Sequence, residues 1–134
     1  MLSGGAGLVS SARDYARFGA MLLGEGALGG VRVAKAASVR LGLSNLLPAG
    51  VQYPGGAFGA GAESNPTKFG WVGAAGTAWW IDPTRRANVL FMTQHLPWGT
   101  YKVWEELNEA MAADVAASDL AQESDSRVTS LRAA

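Results

Sequence analysis

The 134-residue sequence has no cysteine, one histidine and few charges. Without cysteine there is no disulfide scaffold, thiolate zinc site, iron–sulfur centre or Cys nucleophile. A single His also rules out the usual all-protein zinc sites, so no metal and no cofactor is expected. Charged residues make up 16%, against about 25% in typical domains. Eleven basic side chains balance eleven acidic ones. That neutrality gives no electrostatic footprint for nucleic acid or an anionic membrane, and neither is an expected partner. The start, Met1-Leu2-Ser3-Gly4-Gly5-Ala6-Gly7, lacks the basic region and the apolar run of a signal peptide. No stretch approaches the ~20 apolar residues of a membrane span. The cytoplasm is therefore the default expectation, unless an address lies upstream in a longer chain.

What is abundant is glycine, 18 residues, roughly twice the usual ~7%. Five Trp call for a large apolar packing surface or a pocket wall. The length is one domain's worth.

Ser10 or Ser11 opens a first helix, with Ser11 and Asp14 at capping-box spacing. Tyr15, Phe18 and Leu22 form its apolar face, and Arg13 and Arg17 lie on another. Gly24, Gly26, Gly29 and Gly30 end it in a loop or tight turn. A second helix is expected from Ala34 to about Leu43, stopping before Pro48. Residues 48–66 are Gly- and Pro-rich and read as a long surface loop with at most one weak strand, at 57–60. Phe69–Gly73, Thr77–Ile81 and Ala87–Gln94 are strand-like, and Asp82-Pro83-Thr84-Arg85-Arg86 supplies a turn. Thr100 is placed to cap a final helix whose face is Trp104, Leu107, Met111 and Val115, with Glu105, Glu106 and Glu109 outward. Residues 1–117 are read as one domain portion and 118–134 as a disordered tail.

Taken singly, the chemical signals are weak. His95 follows a strand with no nucleophile beside it in sequence, and a surface or hydrogen-bonded role is the simpler reading. Gly4-Gly5-Ala6-Gly7 lacks the Gly-Lys-Ser/Thr ending of a phosphate-binding loop. Gly70-Trp71-Val72-Gly73 precedes an aromatic strand and not a helix, so it is no dinucleotide fingerprint.

Their combination is specific. The run from Ser3 through Ser10-Ser11-Ala12-Arg13-Asp14-Tyr15-Ala16-Arg17-Phe18 to Met21-Leu22-Leu23 resembles an internal helix of the β-lactamase-related serine hydrolases. That group includes class C β-lactamases, D-Ala-D-Ala carboxypeptidases and family VIII carboxylesterases. Phe69-Gly70-Trp71-Val72-Gly73-Ala74-Ala75-Gly76-Thr77, then Trp80-Ile81-Asp82-Pro83, resembles the Trp-Gly-Gly strand and hairpin of the esterase branch. Phe91-Met92-Thr93-Gln94 and the closing helix continue the pattern to about Met111.

The resemblance implies roles. Trp71, Val72 and Gly73 would occupy the family's third motif, on the strand bordering the substrate cleft. Trp71 would line the cleft, and Val72, which departs from the usual Gly, would point its isopropyl group away. The backbone N–H of Ala74 would be an oxyanion-hole donor, worth about 3 kcal/mol in the transition state. The family's nucleophile lies in Ser-x-x-Lys, and none of the ten serines has Lys three positions on. Ser64 comes nearest, with Lys68 four residues away and Pro66 between. The Tyr-x-Asn or Tyr-x-Ser motif is missing too, because Tyr15, Tyr53 and Tyr101 lead to Arg17, Gly55 and Val103.

The expected fold is therefore α+β, a partial β-lactamase/transpeptidase-like fold. It has a three-stranded antiparallel sheet piece with the C-terminal helix packed on it, and two N-terminal helices from a helical lobe. An uncovered strand edge and sheet face make marginal stability the expectation for the chain alone. Three functions fit. The chain is the C-terminal, cleft-forming part of a serine hydrolase acting on a small ester or amide once an N-terminal part complements it, and inactive alone. It is instead a non-catalytic binding or interaction module, or it is a truncated product that retains the groove.

Overall fold

The structure, a computed structural model, describes residues 7–97, 99–103, 105–107 and 109–114. The chain forms two compact units, 1–96 and 97–134.

In the first unit, α1 (Ala12–Leu23) opens on Ser11. The Ser11 hydroxyl accepts the Asp14 N–H at 3.1 Å and donates to the Asp14 carboxylate at 2.8 Å. Ser11 is thus the N-cap, and Asp14 binds its hydroxyl and not its backbone N–H, so only the Ser11 half of a capping box forms. The helix ends where Glu25 and Gly26 turn left-handed, φ 50° and 90°, and their N–H groups return to the Leu22 and Met21 carbonyls. The glycines that follow do more than end the helix. Gly29 and Gly30, φ 57° and 81°, make the two-residue turn of a small hairpin, β1 (Ala27–Leu28) with β2 (Val31–Arg32). Two successive positive φ values are what such a turn demands. Then comes α2 (Ala36–Leu43), two residues shorter at its start than expected.

The main sheet contains β3 (Glu63–Asn65), β4 (Lys68–Val72), β5 (Ala78–Asp82) and β6 (Ala87–Phe91), antiparallel in that order. It has four strands where three were expected. The added strand, β3, lies inside the segment read as loop, and the weak strand expected at 57–60 is only a single bridge from Phe58 to Glu63. β3 is short and polar, with no apolar alternation to betray it. Its buried residue is Ser64, whose hydroxyl donates to the Leu43 carbonyl at the end of α2.

Strand register puts Phe69, Trp71, Trp79, Ile81, Asn88 and Leu90 on one sheet face. That face carries the core. Ala62, Phe69, Trp79 and the fully buried Ile81 pack together, with Tyr15, Leu22, Leu23, Leu43 and Leu90 against them. Trp79 is the centre: it meets Tyr15 edge-on at 5.1 Å, Phe18 at 5.6 Å and Phe69 edge-on at 6.1 Å. Asn88 fastens helix to sheet. Its side-chain oxygen accepts the Trp79 indole N–H at 3.1 Å, and its amide donates to the Ala16 carbonyl at 2.7 Å. Gly19 is the buried residue of α1, and it must be glycine because a Cβ there would run into the Asn88 side chain.

In the second unit, residues 103, 105–107 and 109–114 are helical. Leu107 and Met111 are partly buried, whereas Glu105, Glu106 and Glu109 are exposed, as the periodicity requires. Thr100 does not cap this helix. Its hydroxyl donates to the Pro97 carbonyl at 2.8 Å, and the first helical bond runs from the Glu106 N–H to the Lys102 carbonyl. Trp104, Val115 and the tail 118–134 lie outside the described residues.

Two outcomes follow from these contacts. Asn88→Ala strips partners from the Trp79 indole N–H and the Ala16 carbonyl, so urea unfolding should show a loss of about 1–3 kcal/mol with an unchanged m value. A loss within error would contradict the fastening role. The second concerns the β5–β6 turn, where the Asp82 carboxylate accepts from Thr84 and Arg85. Partial burial pushes its pKa up, but the hydrogen bonds from Thr84 and Arg85 outweigh this and hold it below the ordinary 3.8. A depressed pKa contributes stability that is present above the unfolded value and lost as pH falls through the folded one. Stability should therefore decline from about pH 4 downward, and Asp82→Asn should flatten that decline in thermal melts taken across the acid range.

Candidate functional site

Where β4 leaves the core, Trp71 is 46% exposed on the core face and Val72 39% exposed on the other. Alternation along the strand thus separates the two side chains, and Val72 pairs with Ala78 away from Trp71.

Trp71 is braced by the Gly-rich segment that sequence read as a bare loop. Its ring meets Phe58 edge-on at 5.4 Å, and Phe58 meets Tyr53 at 5.2 Å. The Tyr53 hydroxyl donates to Glu63 at 3.1 Å. Desolvation, then the hydrogen bond to Glu63 and its charge, hold the Tyr53 phenol above its ordinary pKa of 10.0, so it remains a donor at neutral pH. Asn45 pins the segment by accepting the N–H groups of Leu47 and Phe58 at 3.1 and 3.2 Å. The Ala60 N–H donates to the Gly42 carbonyl of α2 at 2.8 Å.

Between α1, α2, this segment and the core face of β4 and β5 lies a cavity of about 330 Å³, with Phe18, Val39, Trp71 and Trp79 in its wall. Among the described residues no charged side chain lines it.

Beyond Val72 the chain turns through Gly73–Thr77. The Gly73 N–H donates to the Thr77 carbonyl at 2.7 Å, and the Gly76 N–H to the Gly73 carbonyl at 3.0 Å. Gly76 is left-handed, φ 77°, as the third residue of a three-residue hairpin loop requires. A side chain at Gly73 would collide with the Thr77 hydroxyl. Ala74 is exposed, and among the described residues its N–H has no hydrogen-bond partner. The His95 N–H donates to the Ala75 carbonyl at 3.0 Å, tying the chain after β6 to this loop.

Among the described residues no serine–lysine pair forms. Ser64 is buried with its hydroxyl engaged, and strand pairing places Lys68 on the opposite face, its Nζ 4.6 Å from the Trp80 ring centre. Ser38 lines the cavity, with Leu41 where a lysine partner would stand. Among the described residues no group of three or more His, Cys, Asp or Glu could hold a metal ion, and no described helix is long and apolar enough to cross a membrane.

Sequence reasoning placed Trp71, Val72, Gly73 and Ala74 on one strand and turn, and missed Asn45, Tyr53 and Phe58. Two aromatics inside a Gly-rich stretch were the available signal. Phe58→Ala should raise acrylamide quenching of the Trp71 emission, taken as the difference between proteins with and without Trp71→Phe, and cost about 0.5–1.5 kcal/mol for the lost ring contact. Unchanged quenching would show that the ring needs no brace.

The beta-lactamase family model matches residues 1–113. Two proteins of Mycobacterium tuberculosis are similar: the uncharacterized protein MT1414 of strain CDC 1551 / Oshkosh and protein Rv1367c of strain ATCC 25618 / H37Rv. Each is 36% identical over 116 residues, covering 69% of this chain and 29% of its own length. The chain thus spans less than a third of the length of these relatives. With an α+β fold, the strand-and-turn motif and a family match over most of its length, the chain belongs to the beta-lactamase family, a serine hydrolase-like family.

Proposed function

We propose that the chain forms one wall of the substrate cleft and part of the oxyanion hole of a serine hydrolase. The hydrolase acts on esters or amides through an acyl-serine, with the nucleophile supplied from outside these 134 residues. The observation that carries this reading is the Ala74 N–H, exposed and without a partner among the described residues, in the turn that follows the strand bearing Trp71.

The chemistry asks for such a group. When a serine oxygen adds to an ester carbonyl, the carbonyl oxygen takes up negative charge, and a fixed N–H about 2.7–3.1 Å away stabilises it. The donor must already be oriented, which is what the Gly73 and Gly76 bonds of the turn provide. Trp71 offers apolar surface that binds the substrate equally before and during reaction. A binding module without catalysis is the second reading, favoured by a cavity that Trp71 lines and whose serine, Ser38, has leucine and not lysine three residues on.

Alone, the chain should not hydrolyse p-nitrophenyl acetate, p-nitrophenyl butyrate or a chromogenic cephalosporin above a denatured control. Joined to a family segment that carries Ser-x-x-Lys, it should gain esterase activity. In that pair Ala74→Pro, which removes the N–H, should lower turnover by about 10²–10³. Ala74→Gly should keep it, and Trp71→Ala should chiefly raise KM. An Ala74→Pro protein with native circular dichroism and near-normal turnover would overturn the assignment.

A further inference from the structure

The cavity beside Trp71 has a chemistry of its own. At about 330 Å³ it lies within the size range of small-molecule sites. Its floor is buried and apolar, with Val39, Ala62, Phe69 and Trp79, and its rim carries the half-exposed rings of Phe18 and Trp71. The Trp79 indole N–H is already taken by Asn88. The side-chain hydrogen-bonding groups left in the lining are the hydroxyls of Tyr15 and Ser38 and the indole N–H of Trp71, none of them a cation.

We infer that this cavity binds an uncharged apolar group, the acyl chain or ring of a neutral ester, and discriminates against carboxylate-bearing substrates. The inference rests on the cleft-wall reading and narrows its substrate class. A carboxylate moved into this lining would lose its hydration and find no Lys, Arg or His to replace it. An alkyl or aromatic group loses nothing and gains contact with the aromatic walls.

The test is binding to the chain as it is, with no catalysis involved. Methyl butanoate, methyl hexanoate, methyl octanoate, sodium octanoate and benzylpenicillin are titrated at neutral pH and followed by tryptophan fluorescence, with sedimentation velocity in parallel. Among the methyl esters, Kd should fall about three- to fourfold per added methylene until the cavity is full. Octanoate and benzylpenicillin should bind at least about tenfold more weakly than methyl octanoate. Gly42→Leu is the blocking variant. A Cβ there meets only the Ala60 Cβ, at 3.5 Å, so the added branch can enter the cavity, and leucine favours the helix over glycine. It should lower ester affinity about tenfold or more. Trp71→Ala is the second variant and should weaken ester binding severalfold while circular dichroism stays native. Equal affinity for octanoate and its ester, no dependence on chain length, or undiminished binding by Gly42→Leu would each overturn the inference. A dimer with no ester binding would also overturn it, by assigning the face to a second copy. Because no turnover is read, failure here leaves the Ala74 reading standing, and loss of the Ala74 reading leaves the pocket standing.

Discussion

Asn88 accepts the Trp79 indole N–H and donates to the Ala16 carbonyl, so one side chain joins the first helix to two neighbouring strands. The joint sets how closely α1 can approach, and Gly19 is the residue that gives way. Trp79 is then held in one orientation, with Tyr15, Phe18 and Phe69 arranged around its ring. Removing the amide would leave the indole N–H and a helix carbonyl competing for water at the edge of the core. Such a penalty is larger than the modest gain of an ordinary hydrogen bond.

The cleft wall depends on that seat. With α1 fixed on the core face, Phe18 and Trp71 stand across a gap that the sheet and α2 floor but do not fill. Trp71 is kept upright from its other side by Phe58, Tyr53 and Glu63. One strand thus passes from a buried ring at Phe69, through a half-exposed ring at Trp71, to a turn whose second N–H, at Ala74, has no partner among the described residues. Packing positions the strand, the strand positions the turn, and the turn presents the proposed donor.

Much of this was legible in the sequence, for reasons that differ by element. Ser11 with Asp14 marked the start of α1, and Tyr15 with Leu22 marked its buried face, because capping and a period of 3.6 are local properties. The aromatic strands β4 and β5 and the Asp82-Pro83 turn were equally clear. β3 was not, since Ser64 is buried by a hydrogen bond to Leu43 and leaves no apolar trace. Asn88 looked like any polar residue in an apolar strand, and its importance comes from Ala16, 72 positions away. The brace at Tyr53 and Phe58 was hidden by the glycines around it. Of the site, the strand and turn were visible through family resemblance, whereas the cavity needed three dimensions.

Amide hydrogen exchange through the hairpin loop tests the central claim most directly, because it reads the availability of the Ala74 N–H without any substrate. Gly73, bonded to Thr77, and Gly76, bonded to Gly73, should exchange at least about tenfold slower than their unstructured rates, while Ala74 between them should exchange near its unstructured rate. Protection of Ala74 equal to that of Gly73 would mean that the N–H is already engaged, and the turn could not present it to an oxyanion.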